Sequence, residues 1–206
     1  MNSIIVSVGS TALSMVIGIP AAYSLSRFSF AGKAHISYFI ALMRMTPAFG
    51  TIVPFYILIR GFNLLDTVEA LIIVYMVFSL PLTVWLLYAY FRGIPSDFEE
   101  AAMVDGCSRI GAIFRVFLPL SKPGAVVTAV LSFTFSWNEF LFAFILTSQK
   151  AATVTVSVFA RAGEYLPNFW TDLSSISTVA MIPAIVVVIV AQKYIVTGLT
   201  MGGVKG

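Results

Sequence analysis

Few side chains in this 206-residue sequence are of a kind that performs covalent or redox chemistry. Cys107 is the one cysteine and His35 the one histidine. An internal disulfide is therefore excluded, and a metal centre built from Cys and His lacks ligands. The sequence contains no Gly-x-x-x-x-Gly-Lys-Ser/Thr run, the pattern whose backbone cradles nucleotide phosphates, so the chain is not expected to hydrolyse ATP itself. No nucleophile with a partnering base stands out in the apolar stretches, and we assign no catalytic residue, no metal and no cofactor of the chain's own. Two charges do interrupt apolar runs, Arg44 and Glu139. A charge near the centre of a bilayer costs about 2.5–3.5 kcal/mol, so both are expected to face a bundle interior or a water-filled path. Glu139 follows Trp137 and Asn138, and hydrogen-bonding groups beside an aromatic face are what hold a sugar. The competing reading is that Glu139 caps or braces helices, with Arg44 as a partner.

The elements that must position these residues are helices in a membrane. Hydrophobic residues make up 59% of the chain and charged ones 10%, against about 25% charge in an ordinary soluble domain. Charges and turn residues divide the chain into apolar blocks at 3–25, 35–59, 70–91, 124–147 and 174–196. Each is near the ~20 residues that cross a bilayer. Backbone groups in lipid must be satisfied within the segment, and no alternation of polarity suggests a barrel, so the expected fold is all-α. Residues 1–206 read as a single transmembrane domain of about five spans. Prolines fall inside the blocks at 20, 47, 54, 81 and 183, where kinks are the simple expectation.

Lysine and arginine give the orientation. Arg27, Lys33, Arg92, Arg109, Arg115, Lys122, Lys193 and Lys205 fall on one side, against Arg60, Lys150 and Arg161 on the other. The first group marks the cytoplasm, which places the amino terminus outside and the carboxy terminus inside. Met1 to Ser26 carries no charged side chain, unlike a cleaved signal peptide, so it is expected to be a retained span. The net charge of +3 is spread between apolar blocks and makes no basic stripe for nucleic acid.

The connection 92–122 departs from a generic membrane protein. Ser96 after Pro95, with Glu99 three residues on, has the pattern of a capping box that opens a helix. Phe98, Ala101 and Ala102 share a face of that helix. Gly106 suits the left-handed residue that ends it. Ile110, Ile113, Phe114 and Phe117 then recur at helical spacing until Leu118 and Pro119 are expected to stop a second, amphipathic helix. On the residues alone, this knob either docks a partner or braces the bundle.

Glu100-Ala101-Ala102, three residues, Gly106, nine residues, then Val116-Phe117-Leu118-Pro119 resembles the EAA loop of ABC-importer permeases, with Val116 where that pattern usually has Ile. Trp137-Asn138-Glu139-Phe140-Leu141, the ending Gly198-Leu199-Thr200 with Gly202 to Gly206, and the opening Asn2-Ser3 look like the maltose-type permease family for carbohydrate uptake. The resemblance covers nearly the whole chain. It implies that the loop is a coupling helix seated in a separate ATPase subunit, with Glu100, Ala101, Ala102, Gly106, Leu118 and Pro119 as its positions. It also implies a second related permease, an ATPase dimer that binds ATP and Mg, a periplasmic or lipid-anchored solute-binding protein, and a small carbohydrate as cargo in the bacterial cytoplasmic membrane. Family members usually have six spans, so the first is expected to be missing here. The tail with Gly202, Gly203 and Lys205 either reaches the ATPase, as in relatives, or is a frayed end.

The outer connection holds Tyr165, Leu166, Pro167, Phe169 and Trp170, an aromatic group that suits either the headgroup level or a binding protein. Glycerol phosphate or another non-sugar solute also fits the family. An ion-driven transporter with Arg44 and Glu139 as relay groups is the rival class, but it leaves the spacing from Glu100 to Pro119 without a purpose.

Overall fold

The computed structural model describes residues 1–162 and 169–203, with side chains described except at 162, 169, 172 and 195–203. The described residues are helical almost throughout. Helix α1 (Asn2–Arg27) is followed by α2 (Lys33–Met45), α3 (Ala48–Gly61) and α4 (Val68–Arg92). The connection expected to form a knob consists of α5 (Asp97–Val104), α6 (Arg109–Ala112) and a π-helical turn (Ile113–Phe117). It leads into α7 (Leu118–Asn138), then α8 (Leu141–Leu146), α9 (Val154–Ala162) and α10 (Phe169–Gly203).

Four of these segments are long and apolar enough to cross a membrane: Asn2–Arg27, Val68–Arg92, Arg109–Asn138 and Leu173–Tyr194. The block at 35–59 is not one helix. It breaks at Thr46 and Pro47, both extended, and α2 and α3 meet at 96°. Pro47 has no N–H and disfavours helical geometry at the residue before it, which explains the corner. Pro20, Pro54, Pro81 and Pro183 instead lie within continuous helices. The block at 124–147 is also interrupted: α7 ends at Asn138, Glu139 is extended, and the chain re-enters a short helix at Leu141.

The centre of the bundle is α1 against α4 and α7. Two apolar clusters occupy its ends. The one at the end away from the knob gathers Val6, Ile59, Leu71, Tyr75, Phe142 and Leu146; the one beside the knob gathers Ala22, Tyr23, Leu25, Leu87, Phe91 and Phe117. Between them runs a seam of small hydroxyl residues, because lipid offers no hydrophobic drive between helices and close packing with interhelical hydrogen bonds must supply the association. Ser10 bonds Ser136, Ser14 bonds Ser79, and Thr83 bonds Ser132. Thr67 starts α4 by accepting from the Ala70 amide at 3.3 Å, a side-chain cap at the end of the bundle away from the knob.

Candidate functional site

The knob is built as the glycine predicts and differently from what the serine predicts. Helix α5 ends at Val104 with Asp105 as its C-cap, and Gly106 follows with φ +90°. The Gly106 amide donates to the Met103 carbonyl and the Cys107 amide to the Ala102 carbonyl, at 3.1 and 3.0 Å. This pair of bonds is a Schellman closure, whose left-handed position suits glycine. At the other end no capping box forms. Ser96 is already helical and its side chain accepts no cap bond. Glu99 is not free to reach back, because its carboxylate is engaged elsewhere.

Glu99 and Glu100 are adjacent, so their side chains leave α5 about 100° apart. Glu100 is exposed, as are Phe98, Ala101, Val104 and Asp105, whereas Ala102 is half-buried. Glu99 is 7% exposed. Its carboxylate accepts from the Tyr23 hydroxyl and from Arg27 Nε, each at 2.6 Å. The same guanidinium donates to the carbonyls of Phe91 and Ile94 at 3.2 and 2.9 Å and lies over the Phe117 ring, 5.0 Å from its centroid. Tyr23 and Phe91 meet Phe117 edge-on, each with centroids 4.8 Å apart.

Leu118 and Pro119 do not stop the second helix of the knob. The chain passes through the π turn at Ile113–Phe117 directly into α7. Pro119 has no N–H to return to Arg115 in the α pattern, and the wider turn just before it absorbs that loss. Ser108 caps α6 by accepting from the Gly111 amide at 3.2 Å.

Of the expected solute-path residues Arg44, Trp137, Asn138 and Glu139, only some are brought together. Trp137 and Asn138 line an apolar groove of about 670 Å³ with Phe140, Phe159, Ser177 and Met181. Trp137 donates its indole N–H to the Ala180 carbonyl at 3.1 Å and stacks on Phe133. The Glu139 carboxylate accepts from the amides of Phe142 and Ala143 at 3.1 and 3.3 Å, so it caps α8. Arg44 is not its partner. The Arg44 guanidinium lies 5.8 Å from the Phe135 centroid and borders a separate cavity of about 380 Å³ with Ile40, Pro81 and Trp85. Gly202 and Gly203 close α10, whereas Lys205 and Tyr165, Leu166 and Pro167 lie outside the described residues.

One organising residue escaped the sequence reading. Asp66 sits in a left-handed conformation, φ 57°, in the turn between α3 and α4. Its amide donates to the Leu146 carbonyl at 2.8 Å. Its carboxylate accepts from the amides of Ser148, Gln149, Lys150 and Ala151 and from the Ser148 hydroxyl. Those donors, led by the Ser148 amide, hold the carboxyl well below its ordinary range. Asn2 ties the same loop to the start of α1 through the carbonyls of Lys150 and Ala152, and Ser3 accepts from the Val154 amide. The available signal was an Asx residue in a short turn, a type that tolerates left-handed geometry.

Membrane-length helices that carry a knob closed by a left-handed Gly106 are the frame of a membrane transport subunit. The chain belongs to the family described as "Binding-protein-dependent transport system inner membrane component", which matches residues 14–201. It is a membrane transport component, not an enzyme. Among similar proteins, the sulfoquinovosyl glycerol transport system permease protein SmoH of Agrobacterium fabrum is 39% identical over 206 residues, covering 100% of this chain and 72% of that protein. The trehalose/maltose transport system permease protein MalG of Thermococcus litoralis is 36% identical, over 100% of this chain and 74% of its own length. A crystal structure of a bacterial ABC transporter involved in import of the acidic polysaccharide alginate superposes with TM-score 0.76 at 25% identity, over 94% of this chain and 72% of that one. The MetNI methionine ABC transporter, at TM-score 0.72 and 18% identity over 96% of this chain and 93% of that one, shares the fold.

Proposed function

We propose that this chain is the permease subunit of an ATP-driven ABC importer that carries a sugar or related polyol across the bacterial cytoplasmic membrane by alternating access. The observation that carries the coupling role is the outward face of α5. Glu100, Ala101 and Val104 are exposed together and end at a left-handed Gly106, on the side of the bundle that collects most of the lysines and arginines. The knob within 92–122, with Glu100, Ala101, Ala102, Gly106, Leu118 and Pro119, seats in a cleft of an ATPase dimer that binds ATP and Mg. A second related permease completes the membrane body, and a periplasmic or lipid-anchored binding protein delivers solute. Only contacts that differ between the ATPase's two states can bias the permease, so knob and cleft stay joined through the cycle.

The carbohydrate assignment draws on relatives whose names specify sulfoquinovosyl glycerol and trehalose or maltose. Trp137 and Asn138 border the solute path in this reading, with Arg44 on a separate wall. Gly202, Gly203 and Lys205 belong to a cytoplasmic tail that touches the ATPase. The test is Gly106→Asp. Beyond Gly106 and its two chain neighbours, no atom lies within 4 Å of a Cβ built there, so the substitution acts through backbone strain and added charge, not through a clash. Import by the reconstituted complex is expected to be lost at normal subunit abundance. Normal import by that variant rejects the coupling role. A ligand series that raises the melting temperature of the associated binding protein names the solute, and stabilisation by non-sugar ligands alone rejects the carbohydrate reading.

A further inference from the structure

We infer that Glu99, Arg27 and Tyr23 form the joint that transmits displacement of the knob to the membrane helices, a positioning role separate from the partner-facing role of Glu100. The inference rests on the permease reading above. Helix α5 packs chiefly against α6 and the π turn, which belong to its own loop. Glu99 is the side chain that reaches beyond them to α1, through Tyr23 and Arg27. Arg27 then gathers the end of α4 and the turn after it, through the carbonyls of Phe91 and Ile94. One guanidinium on α1 thus ties together three successive parts of a stretch that lies 64 to 72 residues further along the chain.

The chemistry of this joint suits a stiff link. Arginine presents several donors in a rigid planar fork, and here the fork meets a carboxylate and two carbonyls at once. Charge-assisted bonds are shorter and stronger than neutral ones. The pair is sheltered, with Arg27 and Glu99 side chains 14% and 9% exposed, so separating them strands a charge in a poor solvent. Phe117 forms its floor: the ring is buried, carries the guanidinium on its face, and stands one residue before α7. A push on α5 therefore reaches α1, α4 and α7 through a single buried cluster. Glu100, exposed on the adjacent face, has none of these contacts.

The test uses the complete transporter, with its ATPase, partner permease and binding protein, in proteoliposomes. Glu99→Gln keeps the shape and removes the charge, while leaving the outward face of α5 intact. The ATPase is expected to co-purify at wild-type stoichiometry, with stimulation of hydrolysis by solute-loaded binding protein reduced roughly tenfold or more, as befits truncation of a sheltered ion pair. Wild-type stimulation and import by Glu99→Gln overturn the proposal. Where that variant fails to accumulate, Arg27→Lys decides, since it keeps the charge and loses the fork. Weakened stimulation at wild-type abundance supports the joint, and full stimulation overturns it. Loss of both variants in strict proportion to subunit abundance also overturns it, in favour of a purely structural clamp. A wild-type assembly whose hydrolysis ignores the binding protein would instead sink the permease reading itself.

Discussion

Asp66 shows how much organisation one carboxylate can carry at the end of the bundle away from the knob. It draws the amides of residues 148–151 around itself while its own amide holds Leu146. Replacing it with asparagine turns one acceptor oxygen into a donor that faces N–H groups. A bond to a charged group is worth about 1.5–3 kcal/mol when sheltered, and less where solvent screens it, as it does for most of these. Amide exchange at Ser148, Lys150 and Ala151 in Asp66→Asn is therefore expected to accelerate roughly tenfold or more; unchanged exchange would show that other contacts hold the loop. The sign of the pH effect follows from a carboxyl held below its unperturbed value of 3.8. The stabilisation is fully present above that value and is lost as pH falls beneath it through the folded-state pKa, so loop protection should stay flat across neutral and mildly acidic pH. Gly106 was legible in the sequence because its conformation is a local matter. Glu99 was not, because the local capping rule competes with Arg27, a partner that only the folded chain brings near.

Among the elements, hydropathy located every apolar block but not the breaks within two of them. A window of apolar residues does not record direction, and Pro47 turns the chain where Pro54 and Pro81 do not. The difference lies in the neighbours: Thr46 and Pro47 are both extended, and α3 then packs its Ile59 into the apolar cluster away from the knob. Glu139 ends α7 because its carboxylate is better satisfied by the free amides at the start of α8. Where helices remain whole, close approach decides their packing. A Cβ on Gly124 of α7 would stand 2.3 Å from Cγ of Tyr90 on α4. This contact lies at the base of the ring and cannot be relieved by swinging a flexible tip. Gly124→Ala is expected to destabilise the subunit by about 1–3 kcal/mol, the usual cost of overpacking. In a Tyr90→Ala background most of that cost should vanish, since neighbours that share one space are not additive. Thermal unfolding in detergent reads both, and an equal cost in the two backgrounds would mean that the helices do not meet there.

For the molecule as a whole, the scattered lysines and arginines become a polarity once the helices are laid end to end. Arg27 and Arg92 close α1 and α4 at the end of the bundle that carries the knob, whereas Arg60 closes α3 at the opposite end. The membrane body and its likeness to importers were readable from sequence because composition, span length and loop spacing all act over short stretches. The surfaces that meet a second permease or a binding protein were not, since exposed apolar residues face lipid and partner alike. Orientation is the property on which the coupling assignment depends, and the chain carries its own probe. Cys107, the single thiol, is half-buried immediately after Gly106 in the knob. A membrane-impermeant maleimide should label it in inside-out vesicles and leave it untouched in sealed right-side-out vesicles. Adding the ATPase subunit to stripped inside-out vesicles should slow the labelling, because the turn at Gly106 would then lie against the cleft. Labelling from the outer face would invert the topology, and with it the side on which any ATPase could grip the knob.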